Sequence, residues 1–521
     1  MPELSRPAPA VAAGDTTGLL SLRTASGRWV IAATVLGSGM ASIDATVVGI
    51  ALPTIGRDFA ARVAQLQWVT NAYTLALAGL LLLGGSLGDR YGRRRVFVIG
   101  SVWFAAASML CGVAPDAQAL IAARALQGVG AALLTPGSLA ILQASFAASD
   151  RPKAIGAWSG LGGVATAIGP FVGGWLIGAA SWRLIFFINV PVAIAVVAVA
   201  SRHVPESRDP TSSGRIDVIG AVLVSAGLAG AVFGLTEAAT RGWTAPVTVV
   251  SVLAGVILLV AFVIAEARRR APMMPLGVFR SGQFSGANAV TFVVYGGLGG
   301  ALFLLPIQLQ QVVGFTPLAA GTALLPITVI MLALSSRSGA LAARIGPRLQ
   351  MSVGPLLVAA GLALMSRIGA GGGYVSEVLP AVVVLGLGLA VTVAPLTAAV
   401  LAAAPTQHAG IASAINNDVA RVGGLIAVAV LPSIAGLTGD SYLHPEVFST
   451  GFHLAVLIAA GACVVGALIA LLTIRNPIHP AEQPPPEGWQ CALDAPPLRG
   501  ENDVTRGGPR VIAGRAVGMG S

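Results

Sequence analysis

Apolar runs of about 18–25 residues, separated by short polar loops, recur along most of this 521-residue chain. Each run is long enough to cross a bilayer as a helix, and no water-filled surroundings would accept so many of them. They fall near residues 30–53, 69–88, 96–115, 118–144, 155–178, 184–201, 217–238, 245–266, 285–307, 318–336, 350–369, 378–403, 409–433 and 452–474. The pattern predicts an all-α integral membrane protein with fourteen transmembrane helices. Composition agrees, since only 10% of residues are charged and a soluble domain carries about 25%.

A formal charge of +10 in a soluble chain would point to nucleic acid. Here the arginines sit in short loops between apolar runs, which is how topogenic charge is distributed, so no nucleic-acid partner is expected. With the N-terminus inside, the inner loops hold about sixteen Lys and Arg, including Arg90, Arg93, Arg94, Arg95, Arg268, Arg269, Arg270 and Arg348; the outer loops hold about five, among them Arg57, Arg62 and Arg183. That bias places both termini in the cytoplasm. The N-terminus shows no signal-peptide pattern.

Lys153 is the sole lysine, so no Gly-x-x-x-x-Gly-Lys loop exists and no nucleotide site is expected. Cys111, Cys463 and Cys491 show no paired spacing, and the five histidines (His203, His408, His444, His453, His479) are scattered. Neither a metal site nor a catalytic constellation is visible. The chain reads as no enzyme, with no cofactor.

An internal repeat organises the runs. Gly85, Leu87, Arg90, Gly92 and Arg94, which follow the second run, align with Gly339, Leu341, Arg344, Gly346 and Arg348 at a constant offset of 254. Two six-helix halves are implied, with two helices inserted between them. The expected organisation is an N-terminal tail over 1–28, one half over 29–201, inserted helices over 217–266, a second half over 285–474 and a disordered cytoplasmic tail over 475–521.

Several motifs resemble one family. GSLGDRYGRRRV resembles the loop signature of the major facilitator superfamily, with Gly85, Asp89, Arg90, Gly92, Arg93 and Arg94 as its gating loop. LIAARALQGVGAA matches that superfamily's fourth-helix motif through Arg124, Gln127 and Gly128. Gly156, Gly169, Pro170, Gly173 and Gly174 resemble its fifth-helix antiporter motif, although Ala165 stands where that motif has Gly. DATVVGIALPTI, SWRLIFFINVP and LQQVVGFTPLAAG are similar to the fourteen-helix drug:proton antiporter branch, with Gly49 in place of its usual Asn. The resemblance implies a major facilitator fold and a proton-motive-force-driven exporter of hydrophobic or cationic organic molecules. It would be a multi-pass plasma-membrane protein, monomeric, working by alternating access. A dedicated exporter of an endogenous metabolite and a proton-coupled importer on the same fold are the alternatives.

The charged residues inside the runs carry the mechanism in this reading. Asp44 lies in the first run, where a central carboxylate costs roughly 2.5–3.5 kcal/mol. Arg124 lies at a matching depth in the fourth run, so the two can meet. They form either a structural ion pair or a site where Asp44 takes up and releases protons. Asp418 with Arg421 in the thirteenth run is either a local i,i+3 pair or a second coupling site. The Asp89 loop either fixes topology or also latches the halves. The fifth-run glycines either pack helices or form a seal that steers export. For the substrate pocket the expectation is Trp68, Asn71, Tyr73, Gln127, Trp158, Asn288, Tyr295, Asn416 and Asn417, whose aromatic and amide groups suit amphipathic molecules.

Overall fold

In the computed structural model, which describes residues 20–147, 149–209, 217–269, 272–404 and 409–476, fourteen helices are long and apolar enough to span a membrane. They are α1 (Ala25–Asp58), α2 (Val63–Tyr91), α3 (Arg93–Gly112), α4 (Ala117–Ser145), α5 (Arg151–Ala179), α6 (Leu184–His203) and α7 (Val218–Arg241). The second seven are α8 (Pro246–Arg268), α9 (Gly282–Val312), α10 (Pro317–Ile345), α11 (Pro347–Met365), α12 (Tyr374–Ala402), α13 (Gly410–Ile434) and α14 (Pro445–Thr473). Each overlaps one of the expected runs. About half extend past the run by a turn or more, because a helix continues into its polar flank until a cap or a glycine stops it. By contrast, α3 and α11 stop three and four residues short of the expected ends at 115 and 369. Arg270, His408, His479, Cys491 and most of both expected tails lie outside the described residues.

Local chemistry sets the ends. Thr24, Asp116, Asp217, Ser281 and Thr316 each accept a hydrogen bond from a backbone N–H in the first turn of the helix they precede. Proline opens α8, α10, α11 and α14, where its missing N–H costs nothing. α6 is interrupted at Ile188 and resumes at Asn189, which places Pro191 in the first turn of the resumed helix.

The packing repeats between the halves. α4 packs on both α2 and α3, as α12 does on α10 and α11. α1 lies against α5 and α6, as α9 lies against α13 and α14. The halves meet where α5 crosses α10 and where α2 crosses α13. The inserted hairpin of α7 and α8 leans on the second of these seams through α7, which touches both α2 and α13. α8 packs chiefly on α7 and leaves Val250, Leu253, Ile257 and Val260 exposed, as a helix facing lipid should.

The α5–α10 seam depends on glycine. A Cβ on Gly174 would sit 2.7 Å from the Leu318 Cα, and one on Gly321 would strike the Pro170 carbonyl. Gly173 presses equally closely on Val47 of α1. Small residues let these backbones touch.

Candidate functional site

Asp44 projects from α1 into the interior of the first half and is 2% exposed. Its Oδ2 meets Nη1 of Arg124 from α4 in an ion pair buried on both sides. Its Oδ1 accepts from Gln127 Nε2 at 2.7 Å and from Asn189 Nδ2 at 3.1 Å. Ser108 of α3 ties the donors together: its hydroxyl accepts from Asn189 at 2.9 Å and from Gln127 at 3.2 Å, then donates to the Phe186 carbonyl at 2.8 Å. Four helices therefore converge on one carboxylate.

Arg124 is held from every side. Nε donates to the Val69 carbonyl of α2 at 3.1 Å, and Nη1 also reaches Gln127 Oε1 at 2.7 Å. The guanidinium lies 4.3 Å above the Tyr73 ring and 5.9 Å from that of Phe186. Every hydrogen bond that reaches Asp44 is one it accepts. Oδ1 carries two of these bonds and Oδ2 one, so a proton arriving on the carboxyl would compete with the Arg124 ion pair at Oδ2.

A cavity of about 740 Å³ lies between the halves. Along α2 its wall runs from Tyr73 through Leu77, Leu81 and Gly85 to Asp89, so it reaches roughly 24 Å inward at 1.5 Å per residue. α1, α4, α5, the first half of α13 and, between α8 and α9, Pro272 and Met273 also line it. Tyr73 forms part of its inner end and covers Arg124, so the Asp44 pair sits just behind the wall. Trp158 lines it too, with its indole N–H on Ser38 Oγ at 3.1 Å, and so do Asn417 and Arg421.

Beyond Tyr73 the halves are closed. Gln67 of α2 donates to the Val428 carbonyl at 2.6 Å and the Ala429 carbonyl at 3.1 Å, and Asn71 donates to the Leu425 carbonyl at 3.4 Å. Pro432 lacks the N–H that would otherwise occupy the Val428 carbonyl, so the α2 amide completes an α13 hydrogen bond that the sequence left open. Nearby, Gln310 donates to the Ile50 carbonyl at 2.9 Å and the Tyr442 hydroxyl to the Ala61 carbonyl at 2.8 Å.

Of the nine expected pocket residues, Tyr73, Trp158 and Asn417 line this cavity. The others lie elsewhere. Asn71 belongs to the closure and Gln127 to the Asp44 network. Trp68 packs towards Phe233 of α7. Asn288 and Thr291 of α9 are joined to Asn416 by hydrogen bonds of 3.1 and 2.8 Å, so that amide pair packs α9 on α13. Tyr295 packs against the core. Amides and aromatics in membrane helices satisfy each other as readily as they meet a ligand.

Of the two readings of Asp418 and Arg421, the local i,i+3 pair is not formed: among the described residues neither makes an ion pair, and Asp418 Oδ1 and Arg421 Nε are buried without a hydrogen-bond partner. Asp89 pairs within its own loop, with Arg93 at 2.8 Å, and both line the mouth of the cavity. Arg90 lies 5.6 Å over the Tyr91 ring. Of the fifth-helix motif, Gly169 and Gly173 face α1 and Gly174 faces α10, while a Cβ on Gly156 would meet open space.

Ser108 and Asn189 were not singled out from the sequence. Asn189 is the one amide in the apolar run from Leu184 to Ala200, and that isolation is the signal that marks it.

Residues 34–428 match the family model described as Major Facilitator Superfamily. The chain is 36% identical over 411 residues to the tetracenomycin C resistance and export protein of Streptomyces glaucescens, covering 79% of this chain and 76% of that one. It is 34% identical over 420 residues to the multidrug resistance protein Stp of Mycobacterium tuberculosis, covering 80% and 77%. Among solved structures it resembles an auto-inhibited POT family peptide transporter with a TM-score of 0.63 at 16% identity, over 87% of this chain and 99% of that chain. That likeness speaks to the fold alone.

Proposed function

The chain belongs to the major facilitator superfamily, and from that premise we propose that it exports amphipathic organic compounds, antibiotics among them, driven by inward flow of protons. It is a transporter rather than an enzyme. In this reading it works as a monomer in the plasma membrane, with both termini cytoplasmic and no cofactor. The cavity then opens to the cytoplasm and is sealed on the outer side.

The observation that carries the proposal is Asp44: a carboxylate at membrane depth, held by three donors, directly behind the inner wall of a cavity between two pseudo-symmetric halves. A gradient can do work through such a group only if its access and proton affinity differ between the two facing states. Rearrangement of the halves around Tyr73 exposes or covers the pair, so proton release and cavity opening become one event. Export of antibiotics is supported by relatives named for resistance. One of them is named for a single compound, which favours a second reading, an exporter dedicated to one metabolite.

The test is the energy source. In inverted membrane vesicles, substrate accumulation should collapse when a protonophore dissipates the proton gradient. Accumulation that persists with ATP and no gradient overturns the proposal.

A further inference from the structure

Resting on that reading of the cavity as the substrate site, we infer that Arg421 makes it a site for organic anions: a carboxylate or ionised phenol on an aromatic skeleton docks on the Arg421 guanidinium. Among the described residues, the charged ones lining the cavity are Asp89, Arg93 and Arg421. Asp89 and Arg93 neutralise each other at the mouth, 2.8 Å apart. Arg421 stands deeper, on α13, at the same wall region as Tyr73 and Asn417.

Its guanidinium is unspent. Nε is buried with no hydrogen-bond partner, and no carboxylate pairs with it among the described residues. Asp418, one turn earlier, is close enough to feel its charge but makes no ion pair with it and does not line the cavity. A buried donor without an acceptor is costly, and an arginine fork is relieved best by a two-oxygen anion, which it grips through parallel N–H groups. The Trp158 and Tyr73 rings and the aliphatic wall of Leu77 and Leu81 supply the apolar contact for the skeleton.

Among the described residues a cation finds no such partner. Asp44, the other membrane-depth acid near the cavity, has both oxygens taken and does not line it. A cationic substrate would instead lose hydration beside an unpaired positive charge.

The full chain in lipid nanodiscs, with empty discs subtracted, tests this by equilibrium dialysis of three compounds that share one ring system: 2-naphthoate, 2-naphthamide and 2-naphthylmethylammonium. We expect naphthoate to bind at least about tenfold more tightly than the amide, the lower end for even one charge-assisted hydrogen bond, and the ammonium to bind weakest. Arg421→Gln should bring naphthoate to the level of the amide while leaving the amide unchanged, which shows the cavity intact. Arg421→Lys should keep part of the preference. Binding of the ammonium equal to or tighter than naphthoate overturns the inference, as does an undiminished preference in Arg421→Gln or failure of all three to bind at millimolar concentration. Dialysis needs no gradient, so these results are independent of whether export is proton-driven.

Discussion

Asp44 and Arg124 are each other's reason for tolerating the membrane interior. Paired with Arg124 and held by Gln127 and Asn189 on its other oxygen, the carboxylate recovers three of the hydrogen bonds that water would have given it. Removal of one partner of such a pair costs about 3–5 kcal/mol, because the other charge stays buried and uncompensated. Asp44→Asn should therefore lower the apparent melting temperature, since its amide would turn N–H groups towards donors. Arg124→Gln should do the same, and the double variant should recover most of the loss. Recovery of stability without recovery of substrate accumulation separates proton coupling from mere structure. Melting in detergent together with gradient-driven uptake in proteoliposomes reads both quantities, and a double variant that transports like wild type would leave Asp44 with a structural role only. The two charges were legible in the sequence because ionised groups in apolar runs are expensive and therefore conspicuous. Ser108 was not, because uncharged polar side chains bond within a helix bundle at little cost and occur throughout this chain; Asn189 carried only the weaker signal of being the one amide in its run.

At the scale of elements, the repeat extends further than the motif that announced it. In the first half, the segment just past α6 returns to α3: Glu206 accepts from the Arg94 N–H at 3.1 Å. In the second half, the segment just past α14 returns to α11: Asn476 accepts from the Arg348 N–H, also at 3.1 Å. Both acceptors lie three residues beyond the helix they follow. The two N–H donors are themselves separated by the offset of 254. Each returning side chain fits because the preceding glycine, Gly92 at φ 118° or Gly346 at φ 84°, has no Cβ to block it. On Gly92 a Cβ would approach the Glu206 carboxyl to 2.7 Å. By contrast, a Cβ on Gly85 would meet nothing closer than Pro136 at 3.7 Å, an ordinary contact. Gly92→Ala should thus cost of order 1–3 kcal/mol from backbone strain alone, and Gly85→Ala close to nothing. Thermal melting of the two purified variants checks the order, and equal stabilities would show that the cap does not depend on this backbone. The motif glycines were visible in the sequence, but Glu206 and Asn476 were not, since they sit in loops unlike one another in sequence and only the fold brings them to equivalent places.

At the scale of the whole molecule, the count of helices, the two halves and the inserted pair follow from hydropathy and one repeated loop, because the bilayer leaves a chain few other ways to satisfy its backbone. Which end of the pathway is shut does not follow, since that depends on single hydrogen bonds between halves that hydropathy cannot weigh. The closure rests in part on Gln67, whose amide supplies the hydrogen bond that Pro432 denies to the Val428 carbonyl. It holds α2 to α13 only while the halves are closed at that end. Gln67→Leu removes both of its bonds, keeps a similar volume, and leaves the Val428 carbonyl buried and unsatisfied in the closed form alone. With each bond contributing about 0.5–1.5 kcal/mol net, the balance should move by about 1–2 kcal/mol towards the form open at that end, roughly a 5- to 30-fold change in the ratio of states. Ala429 is 0% exposed in the closed form, so a cysteine placed there reports the opening. The rate at which Ala429→Cys reacts with a membrane-impermeant maleimide from that side should rise several-fold when Gln67→Leu is added. Because the barrel of each half is untouched, substrate binding from the Asp89 end should fall at the same time, as the population facing that way shrinks. An unchanged labelling rate would mean that the halves are held shut by packing rather than by the α2 amide, and the proline-freed carbonyl would then be a consequence of closure instead of one of its causes.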